Sequence, residues 1–377
     1  MRALFISHEA SRSGAPIALL RELLYLKSTQ EDLECEVLML RGGELLADFS
    51  KNVTTLIGWL EPTLWVRILR KLGFKRVLKP YLYKCDKRKY DFIYANTVAS
   101  FPIAVELKNR YKIPLIGHVH EAENLMFRFE MSKEVFCSFD KLIAVSELTK
   151  RNLMDIYEVP SERIELQHPV SYWISEAMDN NIAIKKADLL TNDTIIGLFS
   201  DGGWYKSTEL IPVAVSNFFH HFSDSNCKFA IVGKIDEIVL YRLKYDLRKA
   251  GVLDKVLFLG AVEDPLDYHA RFDVFLLLSR EESFSLVATE AAIMETPIVG
   301  FDEVTGAVEW MRNGAGLLVP YMDFDGLSKA IYTLCHDTEQ RRSIAKEAKK
   351  RVIDMYKEES SMAIIISAIK EVSCNTH

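Results

Sequence analysis

Glu282 and Glu290 bracket Ser283-Phe284-Ser285-Leu286-Val287-Ala288-Thr289, a small, hydroxylated turn that runs into alanine-rich sequence. Eight helical residues span about 12 Å, roughly the distance from a sugar ring across a diphosphate to a ribose. The start of that helix would offer unpaired backbone N–H groups to phosphate. A second group is Lys206, which follows Asp201-Gly202-Gly203-Trp204-Tyr205. Glycines at the end of a strand, then a lysine and a helix, suit a diphosphate cradle. A surface turn with a solvated lysine is the plainer alternative. His118 and His120 make a third group, on alternate positions of an apolar run and so on one face of a strand. A metal there would need a third ligand that the sequence does not place, so hydrogen-bonded structural histidines compete with that reading.

The elements that must carry these groups alternate strand with helix, twice over. Asp273-Val274-Phe275-Leu276-Leu277-Leu278, just before the acidic turn, is continuously apolar, as in a strand buried on both faces. Ile195–Phe199, Phe229–Gly233, Val256–Gly260 and Pro297–Phe301 are further strands, with helices expected at Leu210–Phe219, 237–250, 325–336, Arg341–Met355 and Ser361–Val372. In the first half, Met1–His8 leads through Ser11-Arg12-Ser13-Gly14-Ala15-Pro16 into a helix patterned by Leu19, Leu20, Leu23, Leu24 and Leu26. Strand, small-residue turn and helix form the phosphate-facing element of a doubly wound sheet, although the full GxGxxG fingerprint is absent. Strands at Glu36–Leu40, Val53–Ile57, Asp91–Thr97, Pro114–Glu121 and Leu142–Val145 follow, and Ser146 reads as a helix cap. Ligands of such sheets gather at the strands' carboxyl ends, where Asn96-Thr97 and His120-Glu121 fall.

These motifs, in this order, resemble the retaining glycosyltransferases of the GT-B fold, in particular glycosyltransferase family 4. The E-x7-E pair Glu282 and Glu290, the phrases AVSELTKRNL and VPSERIELQHPV, and the Gly14-Ala15 loop carry the resemblance over nearly the whole chain. It implies an α/β protein of two Rossmann-like doubly wound domains facing a central cleft, with a C-terminal helix crossing back to the first. The expected division is residues 1–172 for the acceptor domain, 173–193 for the linker, 194–355 for the nucleotide-sugar domain and 356–377 for the returning helix. The resemblance also implies a sugar passed from a nucleotide-sugar, with UDP or GDP expected, to a glycan or lipid-linked hydroxyl with retention of configuration. Catalytic roles fall to Glu282, His120 and Lys206, with His118 as second choice to His120. Donor binding falls to Gly14, Ala15, Gly202, Gly203, Lys206, Arg280, Ser283, Phe284, Ser285, Leu286, Glu290 and Val262. No metal and no cofactor are expected. Two departures stand out. Asp201 occupies the place of a common arginine, whose charge Arg280 would have to supply, and Gln167-His168-Pro169-Val170 replaces an Asn-Gly-Val-Asp run.

Composition agrees with a two-domain enzyme. The 377 residues are 49% hydrophobic and 27% charged, with net charge −6 and pI near 5.9. That balance gives no general reason to bind nucleic acid. Six scattered cysteines suggest neither zinc nor a disulfide framework. No apolar run approaches the 18 or so residues of a spanning helix, so the expected location is the cytoplasm or the inner face of its membrane. Residues 67–90 carry +9, leaving −15 for the rest, and interleave aromatic with basic side chains. Arg67, Arg70, Lys71, Lys75, Arg76 and Lys79 read as a surface for an anionic membrane or a lipid-linked acceptor, against a solvated helix face. The activity implied is assembly of bacterial surface polysaccharide or glycolipid. A nucleotide-sugar epimerase or a non-catalytic sugar-nucleotide binder of the same fold are the alternatives.

Overall fold

A computed structural model of the protein describes residues 1–58, 80–85, 88–169, 189, 193–223 and 225–374. Arg67, Arg70, Lys71, Lys75, Arg76 and Lys79, and nearly all of the 173–193 connection, lie outside the described residues. Two compact units form, Met1–Pro169 with Glu358–His377, and Val170–Lys357.

The first unit is built on seven strands: β1 (Arg2–Ser7), β2 (Glu34–Met39), β3 (Thr54–Ile57), β4 (Phe92–Asn96), β5 (Leu115–Val119), β6 (Lys141–Ala144) and β7 (Ile164–Leu166). They pair in the order β3-β2-β1-β4-β5-β6-β7, and every pairing is parallel. Period-two alternation sends Leu4, Ile6, Leu38, Ile93 and Ala95 to one buried face and Ala3, Phe5, Val37, Phe92 and Tyr94 to the other. Helices cover both faces, which is why these strands read as unbroken apolar runs. Leu19, Leu23 and Leu26 of the first helix, Gly14–Thr29, pack on the second of these faces.

The last helix, Glu358–Cys374, packs on that same face through Met362, Ile365, Ala368, Ile369 and Val372, a helical spacing of three and four. Polar contacts fix its ends. Gln167 Nε2 donates to Ser361 Oγ at 2.6 Å, and Ser361 Oγ donates to the His168 carbonyl at 2.7 Å. Lys141 Nζ bridges Glu165 and Glu371, each at 2.9 Å, with its side chain almost wholly buried.

The second unit holds β8 (Thr194–Phe199), β9 (Cys227–Val232), β10 (Val256–Gly260), β11 (Val274–Leu277), β12 (Ile298–Phe301) and β13 (Leu317–Val319). Their order is β10-β9-β8-β11-β12-β13, again all parallel. In each sheet the strand order reverses once, between β1 and β4 and between β8 and β11, and such switch points open a crevice at the carboxyl ends. Helix boundaries move by up to a turn from the sequence reading. Asp337 accepts from Gln340 N, so the helix expected from Arg341 runs Thr338–Met355. Among the described residues no helix is long and apolar enough to cross a membrane.

Of the basic residues in this stretch, Lys84, Arg88 and Lys89 are described; Lys89 is exposed, and the other two serve the fold. Lys84 Nζ donates to the Ile57 carbonyl at 2.8 Å. Arg88 Nε lies 2.9 Å from the buried carboxylate of Glu36, which also accepts from the Tyr90 hydroxyl at 2.7 Å.

Candidate active site

The loops after β8 and β11, the two strands at the second sheet's switch point, interlock. Ser200 N donates to the Val232 carbonyl at 2.8 Å. The chain then turns through Gly202 at φ +89°, and Ser207 at φ +53° leads into the helical segment that opens at Thr208. Gly233, at the end of β9, has φ +134°, and a Cβ there would meet the Ser200 carbonyl oxygen at 2.0 Å, so only glycine fits. Arg280 N donates to the Tyr205 carbonyl at 2.8 Å. Lys206 Nζ donates to Glu282 Oε1 at 2.8 Å, and the Ser279 hydroxyl donates to the same oxygen. Glu282 and Lys206 side chains are 10% and 16% exposed. An ammonium has three donors, and Glu282 takes one.

Glu282 is also held by its backbone. Its N–H donates to the Val304 carbonyl at 2.9 Å, and its carbonyl accepts from Gly306 N at 3.1 Å. The Thr305-Gly306 turn is thereby fastened to the acidic loop. Ser285 precedes the helix Leu286–Ile293 in a left-handed conformation, φ +68°, and its hydroxyl does not cap the first-turn N–H groups, which have no partner within the helix itself. Phe284 is buried edge-on against Tyr356, with ring centroids 5.0 Å apart, while Leu286 is exposed. Glu290 lies on this helix, 13% exposed, with Oε2 3.7 Å from Nε2 of the buried His269. Val262 is half-buried in the loop after β10.

Arg280 does not point its charge into the open. Its guanidinium donates to the Trp204 carbonyl at 3.1 Å, pairs with Glu209 and lies 5.1 Å over the Trp204 ring. Asp201 is likewise engaged, accepting from Gly203 N at 2.8 Å and from the Tyr205 hydroxyl.

At the carboxyl end of the first sheet a second polar cluster forms. His120 Nε2 meets Asn96 Oδ1 at 2.9 Å, and Asn96 Nδ2 donates to the Ala15 carbonyl at 3.0 Å, which ties β4 to the first turn of the helix Gly14–Thr29, where the sequence had suggested a glycine turn. Thr97 Oγ1 meets His8 Nδ1 at 2.9 Å. Glu121 accepts from Val98 N at 3.1 Å and His120 N at 3.0 Å, yet burial still pushes its carboxyl up to about 7. His118 and His120 stand side by side, ring centroids 4.0 Å apart. Burial, and then the neighbouring His8, lower His120 to about 3; burial, and then His120, lower His118 well below the usual range. Both rings are therefore neutral at pH 7. Beneath them the Tyr94 hydroxyl bonds His118 Nδ1 at 2.7 Å, and Glu22 Oε1 lies 3.7 Å from the same nitrogen. Burial pushes the Glu22 carboxyl up to about 8.

Two family models cover most of the chain. Residues 25–169 match Glycosyltransferase Family 4, and residues 191–351 match Glycosyl transferases group 1. The chain belongs to glycosyltransferase family 4. Similar proteins agree. The capsular polysaccharide biosynthesis glycosyltransferase CapM of Staphylococcus aureus is 23% identical over 290 residues, 73% of this chain and 72% of that protein. The N-acetyl-alpha-D-glucosaminyl L-malate synthase of Bacillus anthracis is 26% identical over 258 residues, 66% of this chain and 62% of that protein. Among solved structures, Anabaena HepE in complex with UDP superposes with a TM-score of 0.75 at 18% identity, covering 98% of this chain and all of that one. The fold is therefore that of the GT-B glycosyltransferases.

In this family 4 chain the structure brings Gly202, Gly203, Lys206, Arg280, Glu282, Ser283 and Ser285 into two touching loops, with Glu290 one helix turn further on. Gly14, Ala15 and His120 gather separately, at the end of the first sheet. Sequence reasoning missed His8, Glu22, Tyr94 and His269. Glu22 had a signal, an acid within a leucine-rich helical stripe. His269 had the start signal Asp264-Pro265 of its short helix, Pro265–His269, but nothing to mark its ring.

Proposed function

We propose that this glycosyltransferase takes a sugar from a UDP- or GDP-linked donor and transfers it to a hydroxyl of a glycan or lipid-linked acceptor, with retention at the anomeric carbon and without a metal. The reading supports a role in surface polysaccharide or glycolipid assembly, since CapM is named for capsular polysaccharide biosynthesis and HepE was solved with UDP. The observation that carries it is the Lys206–Glu282 pair at the β8/β11 switch point, with Glu290 on the adjoining helix.

In this reading Glu290 accepts hydrogen bonds from the two ribose hydroxyls, and Glu282 holds hydroxyls of the sugar. His120, on the family resemblance, contacts the transferred sugar. Lys206 and the N–H groups at the start of Leu286–Ile293 take the charge that grows on the diphosphate as it leaves. The bond from anomeric carbon to diphosphate oxygen breaks, the bond to the acceptor oxygen forms on the same face, and the acceptor's proton passes to the departing diphosphate. The basic residues Arg67, Arg70, Lys71, Lys75, Arg76 and Lys79 are assigned to an anionic membrane at the inner face, which would bring the enzyme to a lipid-linked acceptor.

Calorimetric titration with UDP, GDP, ADP and CMP tests the donor site. One nucleotide should bind at micromolar strength, and Glu290→Ala should lose about ten-fold or more in affinity. Equal binding by wild type and variant would refute the assignment.

A further inference from the structure

His269 ends the short helix Pro265–His269 and is completely buried. Its ring stacks on Phe199, centroids 4.8 Å apart at 26°, and meets Phe275 and Phe272 edge-on at 5.0 and 6.0 Å. The Thr296 hydroxyl donates to its carbonyl at 2.6 Å and fixes the backbone. Among the described residues neither ring nitrogen has a hydrogen-bond partner. An apolar aromatic cage of this kind would accept a phenylalanine without the penalty of two buried, unpaired nitrogens. One of those nitrogens faces a carboxylate. Nε2 stands 3.7 Å from Glu290 Oε2, about half an ångström beyond hydrogen-bond range.

We propose that His269 is a positioning residue for the nucleotide: its Nε2–H donates to Glu290 Oε2 and turns the carboxylate so that Oε1 meets the ribose hydroxyls. The proposal rests on the reading of Glu290 as the ribose acceptor. A carboxylate with no donor fixed behind it can rotate about its last bond, and each orientation given up on binding weakens affinity. A donor anchored by stacked rings behind it removes that freedom beforehand. The hydrogen bond is charge-assisted and shielded from water, the setting in which such bonds are strongest. His269 itself does not touch the nucleotide; it acts through Glu290.

The test is calorimetry with UDP and GDP on wild type, His269→Phe, His269→Gln, Glu290→Ala and the double variant His269→Phe/Glu290→Ala. Phenylalanine keeps the stack and removes both nitrogens, whereas a glutamine amide can donate from nearly the Nε2 position. His269→Phe should bind about ten-fold more weakly. His269→Gln should recover most of that loss, and the double variant should bind no more weakly than Glu290→Ala alone. A His269→Phe protein that binds as wild type, while Glu290→Ala is impaired, overturns the inference and leaves the donor site standing. Wild type binding neither nucleotide, or Glu290→Ala binding as wild type, overturns the donor reading and this inference with it. Should His269→Phe fail to fold, nitrogen-15 spectra of the histidine rings decide the matter. Glu290→Gln should shift one His269 ring nitrogen, identified by its loss in His269→Gln, and an unmoved signal refutes the contact.

Discussion

Glu22 lies on the apolar side of the first helix, 4% exposed, and its replacement by glutamine should change how the first unit's stability varies with pH. Burial raises its carboxyl to about 8, with the Tyr94 hydroxyl only partly opposing this. In the unfolded chain a glutamate titrates near 4.3. The native state therefore holds a proton that the unfolded state has released, and stability falls as pH rises through the window between those values. The neighbouring imidazoles act in the opposite sense. His118, His120 and His8 are all lowered, so their contribution grows as pH rises to about 6.5 and is flat above pH 7. Glu121, raised to about 7, gives up its proton at the lower edge of the remaining window. Between pH 7 and 8 Glu22 dominates, and integrating its release gives a loss of about 1 kcal/mol. For a unit of this size that is about 2–4 °C in melting temperature. Thermal unfolding followed at pH 7.0, 7.5 and 8.0 should show this decline in wild type and most of it gone in Glu22→Gln, where only the smaller Glu121 release remains, and Glu22→Gln should also be the more stable protein. Parallel pH profiles for the two proteins would refute the claim that the Glu22 proton is retained at neutrality.

Lys206→Met should lower kcat/KM for the donor by about a hundred-fold, the usual effect of removing one group that stabilises growing negative charge. Steady-state kinetics at saturating acceptor checks this, and a change confined to KM would place Lys206 in ground-state binding alone. Reversing the charges of Arg70, Lys71, Lys75 and Arg76 should release the protein from anionic vesicles in a flotation assay and leave its affinity for nucleotide unchanged. Vesicle binding that survives the four reversals removes these residues from the membrane surface.

The doubly wound sheets were legible because both faces of each strand are buried, so Phe5, Ile6, Leu38, Ile93 and Val274 sit in runs that no solvent-facing residue interrupts. The terminal helix was legible from its three-and-four spacing, although Lys141 of β6 and Gln167, just after β7, which anchor it, lie some two hundred residues earlier. Helices of five or six residues, Glu123–Arg128 and Pro265–His269, are too short to show a period and were missed. Glu282, Glu290 and Lys206 could be picked out by spacing and neighbours. Their contacts could not, since Lys206 meets Glu282 across 76 residues of chain. The proton held by Glu22 depends on the aromatic and imidazole rings of β4 and β5 packed against it, and no local pattern encodes that.

The departure at Asp201 gains a physical meaning from these contacts. In the resemblance an arginine there shares the diphosphate with the lysine, and Arg280 was the residue expected to replace it. The structure instead ties Asp201 to Gly203 N and the Tyr205 hydroxyl, so the acid shapes the turn that presents Lys206. Arg280 braces the same turn from outside, through the Trp204 carbonyl, the Trp204 ring and Glu209. Both residues thus brace the Gly202–Lys206 loop. A rigid loop holds its ammonium and backbone N–H groups where the leaving charge develops, with little reorganisation at the moment of reaction. In the proposed function, with Arg280 paired to Glu209, Lys206 would be the ammonium of this loop nearest the departing diphosphate. A Lys206→Arg variant is then no conservative change, because the longer, planar guanidinium places its donors elsewhere than the ammonium that meets Glu282 at 2.8 Å, and steady-state kinetics should show a lowered kcat.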